Sequence, residues 1–310
     1  MNAVAVLLAV IKVGIIGLDT SHVVRFTEVM NVKKPAFAQD CRMVAAYQWG
    51  SKDIVSATNR YPAYIRQVKE MGVEVVPSID ELLAKVDAVC LETNDGREHL
   101  WQAEKVFRSG KPCFIDKPIA HDYADARKIY DLGKRLNARY FSSSALRYST
   151  IAQDCRNGKH GRVLGAQVYS PSPLEVQGTH SRFTWYGIHG FEPLMTVMGV
   201  GVESVIAVNN GPDDVTILKY ADGRLGTVRS RQKAWDYGGT IFLEKGKPLT
   251  LDPAYEGYEP LLKRICQFFR SGEVPVAPEE TLELFAIMEA AERSIRDGGR
   301  EVKLAEVMGR

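Results

Sequence analysis

The first stretch of the sequence that could do chemistry is a short turn between an apolar run and a helix. Residues 11–16 read Ile-Lys-Val-Gly-Ile-Ile, which is typical of a buried strand, and residues 23–30 are typical of a helix. A strand, a glycine turn and a helix begin a dinucleotide-binding fold, whose fingerprint is Gly-x-Gly-x-x-Gly. Only the first of those glycines is present here, and the candidate cofactor-binding residues of the turn are Gly17, Leu18, Asp19, Thr20, Ser21 and His22.

Asp19 stands where the fingerprint has its second glycine, and two interpretations are open. Asp19, Thr20 or Ser21 caps the helix, because the free N–H groups of a helix N-terminus favour an anion or a side-chain oxygen. The protein's own cap then takes the place of the ligand. Alternatively, Thr20 and Ser21 donate to a phosphate and His22 adds positive charge, while Asp19 is turned aside. His22, at the third glycine position, is also expected to push the helix away from the sheet.

A lysine and a histidine are the best candidates for acid–base chemistry. Lys117 follows a predicted strand and precedes Pro118, and an ammonium there can donate to a substrate oxygen and help to move its proton. His189 lies at the start of a predicted helix, and imidazole exchanges protons near neutral pH. Glu192 follows His189 by one helical turn, so the two side chains can share a face.

The same part of the chain contains further polar residues. His180, His189 and Glu192 could be drawn as a metal site, but their spacing matches no standard metal motif, so we predict no metal. Arg182 is interpreted as a donor to an anionic or hydroxylated substrate, or else as a surface charge. The second strand of a dinucleotide fold normally ends in an acid that holds the ribose hydroxyls. Residues 48–52 contain none, and Ser51 and Lys52 could bind a 2′-phosphate, which favours NADP weakly over NAD.

The elements that position these residues indicate an α/β protein with two parts. Strand-like and helix-like segments alternate up to residue 146, which predicts a parallel sheet covered on both faces. Beyond residue 147 the strands are separated by glycine, aspartate and asparagine turns, which indicates an open-faced, mostly antiparallel sheet in an α+β domain. We therefore predict a Rossmann domain over residues 11–146 and a substrate and oligomerisation domain over residues 147–310.

The composition is that of an ordinary soluble globular protein. The chain has 310 residues, of which 45% are hydrophobic and 25% charged, and its net charge of +2 does not favour nucleic acid or an anionic membrane. Its five cysteines are scattered without a Cys-x-x-Cys pair, which favours reduced thiols and a cytoplasmic location. The apolar residues 2–11 lack the features of a signal peptide or a membrane helix, and we interpret them as an extension before the first strand.

Several motifs in order resemble those of the Gfo/Idh/MocA family (glucose–fructose oxidoreductase, inositol dehydrogenase and MocA). The first strand with its glycine turn resembles the start of that family, and Asp116-Lys117-Pro118 resembles its Glu-Lys-Pro motif. Residues 187–192 resemble its Gly-x-His-x-x-Asp helix start. The remaining matches are Thr93, Asn94 and His99 after the fourth strand, the Arg147-Tyr148 pair at the domain junction, and the last helix from Pro278.

The resemblance implies a Rossmann domain and an open-faced sheet domain, with NAD or NADP and a sugar or polyol bound between them. It implies that Lys117 points at the reacting hydroxyl, that His189 is the general base or an orienting group, and that many such proteins form homo-oligomers through the second sheet. Trp185 stands where the family has an aspartate, and it can stack on a sugar but cannot relay a proton. The implied cofactor contacts are Thr93, Asn94, His99 and Lys117, and the implied substrate contacts are Lys117, Arg147, Arg182, Trp185, His189 and Glu192.

These patterns together predict an oxidoreductase that transfers a hydride between NAD(P) and a sugar-like or polyol substrate. Two alternatives remain open because a fold does not fix a function. One is NAD-dependent glycosidase or epimerase chemistry on the same fold. The other is a sugar-binding or assembly protein whose cofactor turn has degenerated. The identity of the substrate, the direction of the reaction and the size of the oligomer are not predicted.

Overall fold

The computed structural model describes residues 9–174 and 179–309. The apolar extension discussed above therefore lies largely outside the described residues. Two sheets organise the fold, the first built from residues 11–143 and the second from residues 163–303. The predicted domain boundary at residues 146–147 falls within a 3-10 turn, Ala145–Tyr148, between the two sheets, and the exact division stays a prediction.

The first sheet has six parallel strands in the order β3-β2-β1-β4-β5-β6, which is the strand order of a Rossmann fold. Its central strands are buried on both faces because helices cover both sides, and this explains their apolar sequences. The strands are β1 (Ile11–Ile16), β2 (Cys41–Tyr47), β3 (Glu74–Val76), β4 (Ala88–Leu91), β5 (Cys113–Asp116) and β6 (Tyr140–Ser143).

The helices of this part agree with the prediction in order but not always in length. The pattern of residues 53–61 predicts one helix, but the structure has a single helical turn that ends at Thr58 and a second helix that begins at Tyr61, where Pro62 suits the first turn of a new helix. The first helix continues beyond Thr27 as a π-helix to Lys33. The helices are α1 (Ser21–Thr27), α2 (Val55–Thr58), α3 (Tyr61–Glu70), α4 (Ile79–Lys85), α5 (His99–Arg108) and α6 (Tyr123–Arg135).

The second sheet has seven strands in the order β12-β11-β7-β10-β9-β8-β13. Only β7 and β10 pair in parallel, so the predicted mostly antiparallel sheet is confirmed. The strands are β7 (Val163–Pro171), β8 (Val202–Asn209), β9 (Asp213–Tyr220), β10 (Leu225–Arg231), β11 (Gly238–Leu243), β12 (Leu249–Thr250) and β13 (Val302–Lys303).

One face of this sheet is covered by helices, and the central one is buried along its whole length. That helix, α8 (Ile188–Met198), packs against β7 and β10 and brings His189 to the junction between the two sheets. The other helices of this part are α7 (Thr150–Arg156), which was not predicted, α9 (Glu259–Ser271), α10 (Pro278–Arg296) and α11 (Leu304–Met308). None of the described helices is long and apolar enough to cross a membrane.

Candidate active site

A cavity of about 430 Å³ lies between the two sheets, at the carboxyl edge of the first. Ligands of open α/β sheets bind at this edge, near the point where the strand order reverses. The segments that follow β1, β4 and β5 form one side, and α8 with the loops of the second sheet forms the other. The cavity is lined by Thr20, Ser21, His22, Arg60, Asn94, Lys117, Ala145, Leu146, Pro173, Trp185, Tyr186, His189, Trp235, Tyr237, Tyr255 and Tyr258.

Lys117 enters the cavity directly after β5. Its Nζ lies 5.4 Å from the centre of the Tyr186 ring, a distance at which the ammonium is attracted to the face of the ring. Burial lowers the pKa of Lys117, although the carboxylates of Asp116 and Glu192 oppose that change. The backbone N–H of Lys117 also donates to Asp116 Oδ1 over 2.8 Å, which fixes the end of the strand.

His189 lies opposite, on the first turn of α8. Its Nδ1 is 2.8 Å from Ser144 Oγ, and this hydroxyl also accepts the N–H of Leu146. Burial, and then the positive charge of Lys117, lower the pKa of His189 well below its ordinary value. His189 is therefore a neutral imidazole, and the structure brings it together with Lys117 in one cavity.

The glycine turn is arranged differently from a turn that carries the full Gly-x-Gly-x-x-Gly fingerprint. Gly17 has φ +90°, and a Cβ on it would lie 2.5 Å from the backbone of Thr93, so only glycine fits. Asp19 does not cap α1. Its two carboxylate oxygens instead accept the backbone N–H groups of Ser51 and Asn94, over 3.0 and 2.9 Å. Thr20 is the N-cap, and its Oγ1 accepts from His22 N.

Asp19 therefore joins the loops that follow β2 and β4. This position agrees with the second interpretation above, in which Asp19 is turned aside from the phosphate. Burial raises its pKa to about 6, although the two backbone N–H groups favour the ionised form. Thr20 and Ser21 remain at the cavity wall, where their hydroxyls can meet a ligand. Leu18 is fully buried and supports the turn from below.

Ser51 and Lys52, the candidates for binding a 2′-phosphate, lie in the loop after β2. Ser51 is buried, and its hydroxyl donates to Asp53 Oδ1 over 2.8 Å and lies 3.1 Å from Asp95 Oδ2. Arg97 is bound to both of these carboxylates, at 2.6 Å from each. Lys52 is exposed, with its Nζ 5.9 Å from the Trp49 ring. Neither Ser51 nor Lys52 lines the cavity.

The residues after β4 divide into one cavity residue and two that hold the loop. Asn94 lines the cavity. Thr93 is buried against Gly17. His99 is fully buried, and its ring nitrogens lie 2.6 Å from the carbonyl oxygen of Thr93 and 3.1 Å from that of Ile119. It ties this loop to the segment beyond Lys117, so it acts by positioning and does not line the cavity as a cofactor contact would.

Three predicted substrate residues lie outside the cavity. Arg147 is buried at the domain junction, where Nε is 2.7 Å from Glu192 and Nη1 is 2.6 Å from Glu280. Glu192 points to this junction and accepts the N–H of Ser144 over 2.7 Å. Arg182 pairs with the buried Asp214 on β9. The resemblance implied substrate contacts for these residues, and the sequence does not show the carboxylate and guanidinium partners that the fold gives them.

The three residues considered as metal ligands, His180, His189 and Glu192, each have a different hydrogen-bond partner. His180 Nε2 accepts the backbone N–H of Gly96 over 3.0 Å, while His189 contacts Ser144 and Glu192 contacts Arg147. One described group, His121 with Asp122 and Asp125, has ligand-type atoms close together. The last of these aspartates pairs with Lys128, so this group is explained by helix capping and ion pairs.

The aromatic wall of the cavity was missed from the sequence, apart from Trp185. Trp185 packs against His180, with 4.7 Å between ring centres. Tyr186 Oη lies 3.1 Å from Tyr237 Oη, and the Tyr186 ring also meets Trp235. These residues lie in two segments that are far apart in sequence, 185–186 and 235–237, and no periodic pattern links them. The other rings at the wall are Tyr255 and Tyr258.

The residues of the cavity fit a nicotinamide dinucleotide at its nicotinamide and pyrophosphate end. The hydroxyls of Thr20 and Ser21 and the amide of Asn94 can serve as hydrogen-bond partners of phosphate and ribose oxygens. Gly17 provides the close packing of the turn that this fold requires. Arg60 and Lys117 add positive charge, and no described lining residue is acidic.

Comparison with known proteins agrees with this fold. Residues 11–144 match the model of the GFO_IDH_MocA family, described as an oxidoreductase family with an NAD-binding Rossmann fold. An uncharacterized oxidoreductase of Streptococcus pneumoniae is 23% identical over 158 residues, which are 46% of this chain and 42% of that protein. An inositol 2-dehydrogenase of Cereibacter sphaeroides is 36% identical over 69 residues, 21% of this chain and 20% of its own. The aligned segments thus span less than half the length of these relatives.

Solved structures extend the similarity of fold to the whole chain. A probable dehydrogenase from Thermotoga maritima has a TM-score of 0.77 and 21% identity, covering 96% of this chain and 99% of that one. A scyllo-inositol dehydrogenase from Lactobacillus casei with bound NAD(H) and scyllo-inositol has a TM-score of 0.72 and 18% identity, covering 96% and 99%. The family match thus covers residues 11–144, and the solved structures show that nearly the whole chain shares the fold of these dehydrogenases.

Proposed function

We propose that this protein is an NAD-dependent dehydrogenase that acts on a secondary alcohol of a polyol or sugar. The observation that carries the proposal is the meeting of Lys117 and His189 in one cavity between the two sheets. The match of residues 11–144 to an NAD-binding family, and the inositol dehydrogenases among the chain's relatives, support the same reaction class.

Bound NAD would supply the hydride acceptor for the oxidised carbon. Lys117 would donate a hydrogen bond to the substrate oxygen, and its charge would stabilise negative charge that develops there. His189 would orient the same oxygen from the opposite wall. Thr20, Ser21 and Asn94 would hold the pyrophosphate and the ribose.

The aromatic wall supports a hydroxylated ring as substrate. Trp185 and Trp235 offer faces on which the C–H side of a sugar or cyclitol can stack, and the tyrosine hydroxyls can bond to its oxygens. Burial, followed by the neighbouring Tyr186, raises the pKa of Tyr237, so Tyr237 stays protonated and can donate. A polyol needs several donors and acceptors around one apolar face, and these residues provide both.

We infer NAD rather than NADP as the cofactor, in contrast to the weak indication from the sequence. The adenosine ribose of a Rossmann cofactor lies beside the loop after the second strand. Asp53 is exposed there and can accept ribose hydroxyls, while Asp19 and Asp95 are buried close by. Three carboxylates against one arginine would disfavour a 2′-phosphate. NADH is therefore expected to bind more tightly than NADPH.

The exposed side of the second sheet supports association between copies of the chain. Leu164, Leu225 and Phe242 are between 38% and 53% exposed, and they line one shallow depression on neighbouring strands. A cluster of apolar side chains on an open sheet face is typical of a protein–protein contact. We propose that a homodimer forms through this face.

The test is reduction of NAD with a panel of polyols, including myo-inositol and scyllo-inositol, by wild type and Lys117→Ala. Wild type should reduce NAD with at least one polyol, and the variant should lose about 10²- to 10⁴-fold in turnover with NADH affinity nearly unchanged. Lys85→Ala, at an exposed ion pair with Glu74, is the matched control. An equally active Lys117→Ala would contradict the assignment, and polyol binding without dinucleotide binding would favour the sugar-binding alternative.

A further inference from the structure

His22 occupies the third glycine position of the fingerprint, yet its side chain is built into the active-site wall. Its Nδ1 lies 2.6 Å from Asp116 Oδ2, and the two side chains are only 12% and 5% exposed. The ring stacks on Phe26 with 5.4 Å between centres and meets the edge of Tyr258 at 4.7 Å. These contacts fix the orientation of the imidazole, and it lines the same cavity as Lys117 and His189.

The partner of Nδ1 determines which nitrogen of His22 carries the proton. Burial opposes ionisation of Asp116, but His22 and Lys117 outweigh it and hold the pKa of this carboxyl below its ordinary value. An ionised carboxylate only accepts hydrogen bonds, so Nδ1 of His22 must donate. In the neutral ring, Nε2 then keeps its lone pair. Nε2 makes no hydrogen bond to a side chain or backbone group of the described residues.

His189 has the opposite arrangement. Ser144 Oγ already accepts the N–H of Leu146, and His189 Nδ1 is the one acceptor within reach of its hydroxyl proton among the described residues. We therefore assign the proton of neutral His189 to Nε2, which makes this nitrogen a donor. Lys117, when charged, also only donates. The two residues predicted from the sequence can thus bind and polarise an oxygen, but neither offers a lone pair to its proton.

We propose that His22, oriented by Asp116, is a further acid–base residue of this active site, with Nε2 as the atom that exchanges the substrate proton. The inference rests on the proposed dehydrogenase function. In the oxidative direction the O–H proton of the substrate passes to His22 Nε2. The C–H bond breaks as a hydride that leaves, with its electron pair, to the nicotinamide, and a C=O bond forms. The resulting imidazolium is stabilised by Asp116, which is the positioning residue.

The groups around His22 are consistent with this exchange. Asp116 contacts it from the end of β5, and Lys117 follows on the same segment. Glu92, at the end of β4, interacts electrostatically with Asp116 and is neutral, because burial and that neighbouring carboxylate raise its pKa well above its ordinary value. His189 faces His22 from α8, and Tyr258 from the start of α9. Asp116 thus provides the one carboxylate hydrogen-bonded to His22.

The first measurement is the tautomeric state of the histidines in cofactor-free protein by ¹⁵N NMR of labelled imidazoles, with assignment by single replacements. The expected result is Nδ1–H with an unprotonated Nε2 for His22, and Nε2–H for His189. Reversed tautomers would overturn the proposal. This measurement needs neither substrate nor NAD, so it can refute the proposal even if no polyol of the panel is oxidised.

The second measurement compares wild type with His22→Asn, whose amide can still donate to Asp116 but cannot take up a proton at the position of Nε2. Polyol-dependent NAD reduction should fall by about 10²- to 10⁴-fold, while the Kd for NADH changes by less than about 3-fold. His160→Asn, at a half-buried site beside Asp154, is the matched control and should behave as wild type.

The two proposals fail in different ways. If wild type oxidises a polyol and His22→Asn retains a third or more of its turnover, the role of His22 is refuted while the dehydrogenase stands. If wild type binds no NADH at all, the dehydrogenase is refuted, and the role of His22 falls with it. Retained NADH binding by His22→Asn shows that the variant is folded.

Discussion

Replacement of Arg147 by methionine separates a structural role for this residue from the substrate contact that the sequence suggested. Arg147 is 2% exposed, and its guanidinium lies between the carboxylates of Glu192 and Glu280, which are 2% and 6% exposed. Methionine fills much of the volume but leaves Glu192 buried without its positive partner. Glu280 keeps a second partner, because Arg156 remains 2.8 Å away.

The magnitude follows from the burial of the pair. Breaking a buried ion pair by removing one partner costs about 3–5 kcal/mol in the free energy of unfolding, and the remaining Arg156 places this case near the lower end. At roughly 2 °C per kcal/mol for a chain of this size, we expect Tm to fall by about 6–8 °C. Arg147→Met/Glu192→Gln should recover part of the loss, because the glutamine is neutral.

Urea unfolding and thermal melts of the two variants measure these changes. Arg229→Met is the matched control: its partner is Asp213 and its side chain is 51% exposed, so its effect should be below about 1 kcal/mol. Polyol affinity should change little in the protein that remains folded. If Arg147→Met melts like wild type but loses polyol binding, Arg147 is a substrate ligand and the structural assignment is wrong.

Three other substitutions test the protonation of Glu92, the role of Asp19 in the glycine turn, and the proposed dimer contact. Glu92→Gln should gain stability relative to wild type as pH rises, by about 1.4 kcal/mol per pH unit above the ordinary carboxyl pKa. The reason is that burial keeps Glu92 protonated in the folded state, whereas it ionises on unfolding. If the urea-unfolding free energies of the two proteins change with pH in the same way from pH 5.5 to 7.5, this prediction is wrong. Asp19→Gly should weaken NADH binding about tenfold, since two backbone N–H groups lose their acceptor. Tighter binding in fluorescence titrations would show instead that Asp19 repels the phosphate. Phe242→Lys should shift sedimentation from dimer to monomer, whereas Val55→Lys, at another exposed apolar residue on a helix of the first sheet, should not; an unchanged dimer would place the contact elsewhere.

Most of the fold was predictable from local sequence patterns. The strands of the first sheet are apolar runs bounded by turn residues, and the capping of α4 by Ser78 was readable because the cap and Glu81 are three residues apart. The helix from Tyr61 was missed although Tyr61, Tyr64, Ile65 and Val68 recur at helical spacing and face the core, so the apolar stripe needed to predict it is present in the sequence. This stripe packs against α1.

The candidate site was predictable where a residue follows a strand or begins a helix, as Lys117 and His189 do. The partners of a charge were not predictable, since Asp19 meets Ser51 and Asn94 across long stretches of sequence, and Arg147 meets Glu280 in the last long helix. The pairing of His22 with Asp116 spans 94 residues and links two strand ends that only the fold brings together. A histidine in place of a fingerprint glycine was the one signal in the sequence that pointed to it.

Binding of a nicotinamide dinucleotide in the cavity between the two sheets is required for the proposed reaction. Energy transfer from tryptophan to NADH measures this binding directly. Trp185 and Trp235 line this cavity, so bound NADH should accept their emission. After denaturing extraction has shown that the protein carries no co-purified cofactor, we expect energy transfer from tryptophan to NADH that saturates below about 1 mM NADH. The signal should be reduced, with binding retained, in Trp185→Phe/Trp235→Phe. Absence of saturable transfer and of any NADH binding in cofactor-free wild type would contradict the claim.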